Sequence, residues 1–394
     1  MHITQDLIRI ENILKNEYLS FLNNALNVTP AVFLEKIKKT TLEASAGEFG
    51  ARIGIGGGFG MSEEGKPTPN ANAPLYRKFK YTTKDAYCDI QISHKTVKLG
   101  QNNIGVMTNA VKDAMDASYE AAKWNTARML FGDGTGLVGT VNGAISSATS
   151  TIVVDDTSKL IEGLVVDIYD SASSSPKNVL DVQIIGIDHD NKKVTLSTSI
   201  SSLGDDSTIY VQNSKDREIT GLGSIFDSSV TSIYGLSKSA NPAIVPYKKS
   251  SLTTLGSVEI TEAVRASERN RNGKIDLLMM GDNAYNKFLK NLIATNQSYT
   301  TNNNYRSGFA TIKAVYGNRE IEVVNERFVP TNKVWGVDTA MFELRQVGWD
   351  FATYQSSIFN LRDDTAVYRA LLANYMELIC KHPGTCIELE VSAT

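Results

Sequence analysis

The sequence predicts an α+β subunit that combines an extended glycine-rich ribbon, one long helix and an inserted antiparallel β-barrel. Three observations carry this. Residues Gly47–Gly65 concentrate glycine and are followed by Pro67, Pro69 and Pro74, a composition that excludes a helix and lacks the apolar density of a buried strand. Residues Asn103–Phe131 keep helical spacing over about 28 positions, a rod of about 40 Å at 1.5 Å per residue. From Leu137 to Glu218 the chain turns to Ser, Thr, Val, Ile and Asp in short alternating runs, the pattern of an all-β unit.

The elements follow in order. Leu7, Ile10, Leu14, Tyr18, Phe21 and Ala25 recur at three- and four-residue steps, so Thr4–Ala25 is expected to be an amphipathic helix. Thr29-Pro30 supplies a cap and first turn for a short second helix through Phe33, Leu34 and Ile37. After the ribbon, Leu75–Tyr81 and Asp85–Val97 read as strands. In the long helix, Ile104, Met107, Val111, Ala114, Met115, Ser118, Ala121, Ala122, Asn125 and Met129 are expected on one face. Gly132-Asp133-Gly134 stops it.

Strands are expected at Thr151–Val154, Leu164–Tyr169, Val179–Ile187, Lys193–Ser197 and Thr208–Gln212, with Asp190-Asn191 as a tight hairpin turn. A helix is predicted over Leu252–Asn270 with Leu255, Val258 and Val264 inward, a buried strand over Ile275–Met280, and a helix over Asp282–Leu292 capped by Asp282 or Asn283. Gln297–Arg306 is a polar loop. Strands close the chain at Arg319–Val324, Lys333–Val337, Met341–Leu344, Val367–Ile379 and Thr385–Val391.

Composition narrows the function. The chain has 394 residues and a net charge of −3, without a Lys/Arg block for gripping a duplex. Three cysteines are too few for a disulfide framework. The N-terminal residues show no signal peptide, and no apolar run reaches the ~20 residues that span a bilayer. Synthesis and use in the cytoplasm, with release only by lysis, are expected.

The motif search favours no enzyme. Gly60-Met-Ser-Glu-Glu-Gly65-Lys66 fits seven positions of a phosphate loop, but Pro67 stands where a hydroxyl must bind Mg²⁺, and the nearby prolines prevent the helix that holds phosphate. Gly54, Gly56, Gly57 and Gly58 miss the third glycine of G-x-G-x-x-G, which falls on Phe59. Cys380, His382 and Cys386 lack the spacing and second cluster of a zinc site, so buried thiols are expected. His2, His94 and His189 stand apart, and Asp155-Asp156, Asp205-Asp206 and Asp363-Asp364 read as turns. Phe309, Tyr316, Phe328, Trp335, Phe342, Trp349 and Phe351 are expected to be mainly core, with some at an intersubunit contact. No cofactor or metal is expected.

In this order the elements resemble those of the major capsid proteins of tailed bacteriophages, the Hong Kong 97-type fold. The resemblance spans nearly the whole chain and rests on element order. It implies an N-terminal helical arm (1–44), an extended loop with peripheral-domain strands (45–100), a spine helix (101–136), the inserted β-barrel (137–220), an axial domain (221–339) and a peripheral return with a C-terminal strand (340–394). It also implies self-assembly as pentamers and hexamers into an icosahedral shell that encloses double-stranded DNA without reading its sequence. The location implied is the virion capsid, assembled in the host cytoplasm, with portal and decoration proteins as further partners and no membrane. Members with a built-in scaffold carry a longer, cleaved N-terminal segment, so a separate scaffolding protein is expected here. Gly54, Gly56, Gly57, Gly58, Phe59, Gly60, Glu63, Glu64, Lys66 and Pro67 are the intersubunit residues expected on the extended loop. An encapsulin-type compartment shares the fold and is the nearest alternative. A tail-tube or sheath subunit and a nucleotide-binding enzyme are the others.

Overall fold

The computed structural model describes residues 31–52, 54, 56–95, 104–171, 179–294, 312–316, 319–352, 359–361 and 366–392. A helical turn, α1 (Val32–Lys36), leads into β1 (Lys38–Thr41). The hairpin β2 (Ala46–Arg52) and β3 (Tyr76–Thr82) precedes β4 (Lys84–Ser93) and the long helix α2 (Ile104–Leu130). Six strands then form a separate unit: β5 (Leu137–Thr140), β6 (Thr149–Val153), β7 (Val165–Tyr169), β8 (Val179–Asp188), β9 (Lys193–Ile200) and β10 (Thr208–Val211). After them come α3 (Leu222–Phe226), the small hairpin β11 (Ser232–Ile233) and β12 (Leu236–Ser237), β13 (Tyr247–Leu252), α4 (Ser257–Arg271), β14 (Leu277–Met280) and α5 (Asp282–Ala294). The remaining strands are β15 (Ile312–Tyr316), β16 (Arg319–Asn325), β17 (Lys333–Val337), β18 (Phe342–Gln346), β19 (Asp350–Ala352), β20 (Asn360–Leu361), β21 (Val367–Cys380) and β22 (Ile387–Val391).

Eighteen of these strands sort into three six-stranded sheets, and β2–β3 and β11–β12 form separate two-stranded sheets. In the first, β21 pairs with β4 along one edge and with β18, β19 and β20 along the other, and β1 adds parallel to β18. Helix α2 packs against β4. The second sheet runs β13-β22-β17-β14-β16-β15. Its two faces enter different cores: Leu278, Met280, Val323 and Val334 meet α4 and α5, whereas Leu277, Met279, Val324 and Trp335 face the core shared with α2 and α3. Burial on both faces explains why Leu277–Met280 is an unbroken apolar run instead of an alternation.

The third sheet, β5-β10-β7-β8-β9-β6, is antiparallel throughout. A bridge between Val141 and Val154 joins its two end strands and closes it into a barrel, which removes the exposed edges an open sheet would carry. It has its own core, including Ile152, Leu160, Ile168, Ile184 and Leu196.

The structure corrects several sequence expectations. The barrel gains a strand at Leu137–Thr140. Its β8–β9 turn places positive φ at Lys192 rather than at Asn191, because the loop holds four residues. The short helix starts after Ala31, which gives no side-chain cap. In α2 Met115 and Ala122 are buried as expected, but Ala121 is exposed and burial towards the end of the helix falls on Thr126, Ala127 and Leu130, where Leu130 and Phe131 enter the core and Trp124 packs against it. Helix α4 begins at Ser257 because Tyr247–Leu252 is taken up as a strand parallel to β22. Val258 consequently points to solvent. Asp282 is the first helical residue of α5 and not its cap; its Oδ1 accepts from Asn325 Nδ2 at 2.9 Å. Phe328, Trp335, Phe342, Trp349 and Phe351 are buried within the subunit. The helix expected at Thr4–Ala25, the loop Gln297–Arg306, Phe309 and Asp363-Asp364 lie outside the described residues.

Candidate intersubunit ribbon

Strands β2 and β3 pair from Ala46↔Thr82 to Arg52↔Tyr76, and the 23 residues between them form the ribbon. The stem alternates. Ala51, Phe79 and Tyr81 turn inward, with Gly47 and Phe49 half-buried beside them, whereas Ala46, Glu48, Gly50, Arg52, Tyr76, Lys78 and Lys80 face solvent. On the outer face Glu48 lies between Lys78 and Lys80, at 3.7 and 3.5 Å. Exposed pairs of this kind add little stability.

Aromatic packing anchors the inner face. Phe49 and Phe79 stack at 4.9 Å, and both meet Tyr234 edge-on, at 5.7 and 5.9 Å. Tyr234 occupies the turn between β11 and β12, where Tyr234 and Gly235 both take positive φ, as the two-residue turns of tight hairpins require. Its hydroxyl donates to the Leu378 carbonyl at 2.8 Å and accepts from the Cys380 amide at 3.1 Å. Burial and the neighbouring Cys380 and Glu377 push this phenol well above its ordinary pKa, so it stays a donor. The Tyr234 carbonyl in turn accepts from the Lys80 amide at 2.9 Å. Arg345 Nη1 donates to Tyr81 Oη at 2.8 Å, and Arg77 Nε to Asn241 Oδ1 at 3.0 Å. Gly47 leaves room for Tyr81, whose hydroxyl would lie 2.6 Å from any Cβ at that position.

Beyond the stem the two limbs stay together. The Gly54 amide bonds the Leu75 carbonyl at 3.3 Å and the Gly57 amide the Asn72 carbonyl at 2.7 Å. A side chain on Gly56 would strike the Pro74 backbone, and one on Gly58 the Asn70 carbonyl. Glycine is used there for close approach. At the tip, Ser62 Oγ donates to the Pro67 carbonyl at 3.0 Å, and the Lys66 amide to the Glu63 carbonyl at 3.1 Å.

Among the residues singled out in the sequence, Gly54 and Gly56 are half-buried between the limbs. Gly57, Gly58, Phe59, Gly60, Glu63, Glu64, Lys66 and Pro67 are exposed. Phe59 and Met61 are each 93% exposed. The stretch resembling a phosphate loop is this exposed tip; it leads through residues 68–75, which form no helix, into β3. Cys380 and Cys386 are buried, and among the described residues no group of three His, Cys, Asp or Glu side chains is placed to hold a metal ion. His94 stacks on Tyr368, and His189 Nδ1 lies 2.9 Å from Thr157 Oγ1.

Sequence reasoning passed over the anchor. Tyr234, Arg345 and Asn241 sit far from the ribbon along the chain. The one available signal was Ser232–Ser237, whose Tyr234-Gly235 pair between Ile233 and Leu236 is a short hairpin pattern.

No protein-family model matches the chain, and no curated protein matches it. Among solved structures it is similar to the cyanophage A-1(L) capsid asymmetric unit, at 12% identity and a TM-score of 0.49 with 90% of each chain covered. It is similar to the holo-SrpI encapsulin complex from Synechococcus elongatus PCC 7942, at 9% identity and a TM-score of 0.46 over 92% of this chain and 88% of that one. The satellite phage P4 procapsid including size determination (Sid) protein gives 11% identity and a TM-score of 0.42 over 95% and 90%.

Proposed function

We propose that this chain is the major capsid protein of a tailed double-stranded DNA phage, a structural subunit that assembles through its ribbon into a closed shell. The observation that carries the reading is the ribbon's geometry: residues 56–75 project from an anchored stem, with Phe59 and Met61 almost wholly in water. Each limb extends up to about 35 Å at about 3.3 Å per residue, enough to cross onto a neighbouring copy. Burial of each exposed apolar side chain there contributes about 1.5–3 kcal/mol, and repetition around a closed shell multiplies weak contacts through effective concentration.

Charge supports an orientation for the barrel. Residues 137–220 hold twelve Asp and Glu against six Lys and Arg, while the rest of the chain holds 31 against 34. An acidic module is repelled by packaged DNA, so the barrel faces outward and the remaining surface lines the interior. Pentamers and hexamers are the oligomers of this reading, with a separate scaffolding protein, portal and decoration proteins as partners. The tip carries contact residues and no catalytic role.

Imaging of the purified chain, alone and with a scaffold, tests the reading. The intact chain is expected to form closed shells, and a chain lacking residues 54–69 to remain folded and unassembled. Normal shells from the deletion would overturn the ribbon's role. Filaments from the intact chain would overturn the shell itself, and shells that enclose protein instead of DNA would favour the encapsulin alternative.

A further inference from the structure

Among the described residues the methionines divide sharply by exposure. Met115, Met279, Met280 and Met376 are buried, Met129 and Met341 are half-buried, and Met61 is 93% exposed. Met61 stands at the tip of the ribbon, two residues after the equally exposed Phe59. The tip is ordered by its own contacts. The Phe59 amide bonds the Gly57 carbonyl at 3.1 Å, and Ser62 Oγ donates to the Pro67 carbonyl at 3.0 Å. A side chain on Gly60 would meet the Pro69 ring at 3.0 Å, so the two limbs close on each other here as well. The stem's aromatic anchor on Tyr234 involves Phe49 and Phe79, at the other end of the ribbon. A chemical change at Met61 therefore leaves the fold intact.

We propose that Met61 is an oxidation site through which peroxide governs assembly of the subunit. This rests on the reading of the ribbon as the intersubunit contact. The oxidant is hydrogen peroxide. A lone pair of the thioether sulfur attacks one peroxide oxygen, forming an S–O bond as the O–O bond breaks. The departing hydroxide takes the proton of the transferred oxygen and leaves as water. Sulfur loses two electrons and the peroxide gains them; methionine sulfoxide reductase reverses the change. The sulfoxide is polar, so it forfeits what the apolar thioether gains when a neighbouring copy covers it. Packing shields the six other sulfurs from the reagent, which makes the reaction selective in the folded subunit.

The full chain, unassembled, is treated with dilute hydrogen peroxide, quenched with free methionine, and digested with trypsin for mass spectrometry. Pro67 blocks cleavage after Lys66, so residues 53–77 form one peptide in which Met61 is the sole methionine. Sulfoxide is expected at Met61 about tenfold faster than at the six buried or half-buried methionines, with a native circular dichroism spectrum. The oxidised chain should need about tenfold more subunit to form shells, and methionine sulfoxide reductase should restore the parent threshold. Met61→Leu should assemble equally well before and after peroxide. Met61→Gln, polar and of similar length, should assemble as poorly as the oxidised chain without treatment. Equal oxidation rates at Met61 and the buried methionines, or shells from the oxidised chain at the parent threshold, would overturn this inference alone. An untreated chain that forms no shells would overturn the shell reading and this inference with it.

Discussion

Arg128, near the end of the long helix, and Glu218, where the chain leaves the barrel, form a two-pronged ion pair with side chains only 2% and 3% exposed. Arg128 Nη1 donates to Glu218 Oε2 at 3.0 Å, and Nη2 bonds Oε1. The pair sits where barrel and helix join. The Gly132 and Gly134 backbone packs beside residues 218–219, and any side chain on Gly221 would crowd the Met129, Leu130 and Gly132 carbonyls.

Removal of one partner strands a buried charge. Glu218→Gln should therefore destabilise the subunit by about 3–5 kcal/mol, whereas Arg128→Met combined with Glu218→Leu should recover most of the loss. Urea denaturation of Glu218→Gln and of the double variant measures this. A double variant no more stable than Glu218→Gln would contradict it.

Arg327 docks the barrel on the body. Its Nε and Nη2 donate to the Ser158 and Leu160 carbonyls at 2.8 and 3.3 Å, and its guanidinium lies 4.7 Å from the centre of the Trp124 ring. Arg327→Ala should cost about 2–3 kcal/mol and raise hydrogen exchange at residues 157–163, with the strands of the barrel core still protected. Unchanged exchange in that loop would show that the barrel is held in place by other contacts.

Gly58 tests the ribbon without deleting it. Gly58→Val forces the limbs apart at Asn70, so assembly should fail while the melting temperature stays within a degree or two of the parent. Gly50→Val is the control, since a Cβ there meets only the Tyr76 ring at 3.9 Å. Assembly by Gly58→Val as efficient as by the control would remove the requirement for closely paired limbs.

Stability should depend on pH through three carboxyls. Burial, only partly offset by the Thr220 amide and hydroxyl, raises Glu377 to about 7. Burial also raises Glu326 to about 7 against the Phe328 and Arg327 amides. A carboxyl whose folded pKa is raised binds its proton more tightly in the native state, so its contribution is greatest below about 4.5 and is lost as pH rises to about 7. Glu343 runs the other way. Burial opposes its ionisation, but hydrogen bonds from Thr40, Lys381 and Arg345 outweigh that and hold it at about 2, so its contribution is lost as pH falls from about 4.5 towards 2. Urea midpoints should decline between pH 5 and 7, and Glu377→Gln should flatten that decline. A slope unchanged in Glu377→Gln would assign the effect elsewhere.

The local elements were legible because their signals are local. Alternation in Val179–Ile187 and Lys193–Ser197, helical spacing across Asn103–Phe131 and the glycine crowding of the ribbon each follow from a few consecutive residues. The exposure of residues 57–67 was legible for the same reason, since glycine and proline density marks a segment that does not enter a core. Tertiary structure alone decided the rest. Periodicity says that β21 and β22 are strands, but only pairing across the chain sends one to the sheet with β4 and the other to the sheet with β14. Nothing near Tyr234 in sequence indicates that its ring holds Phe49 and Phe79, and nothing near Arg128 points to Glu218, 90 residues on. Such contacts depend on which surfaces meet once loops close, a non-local choice that no window of adjacent residues contains.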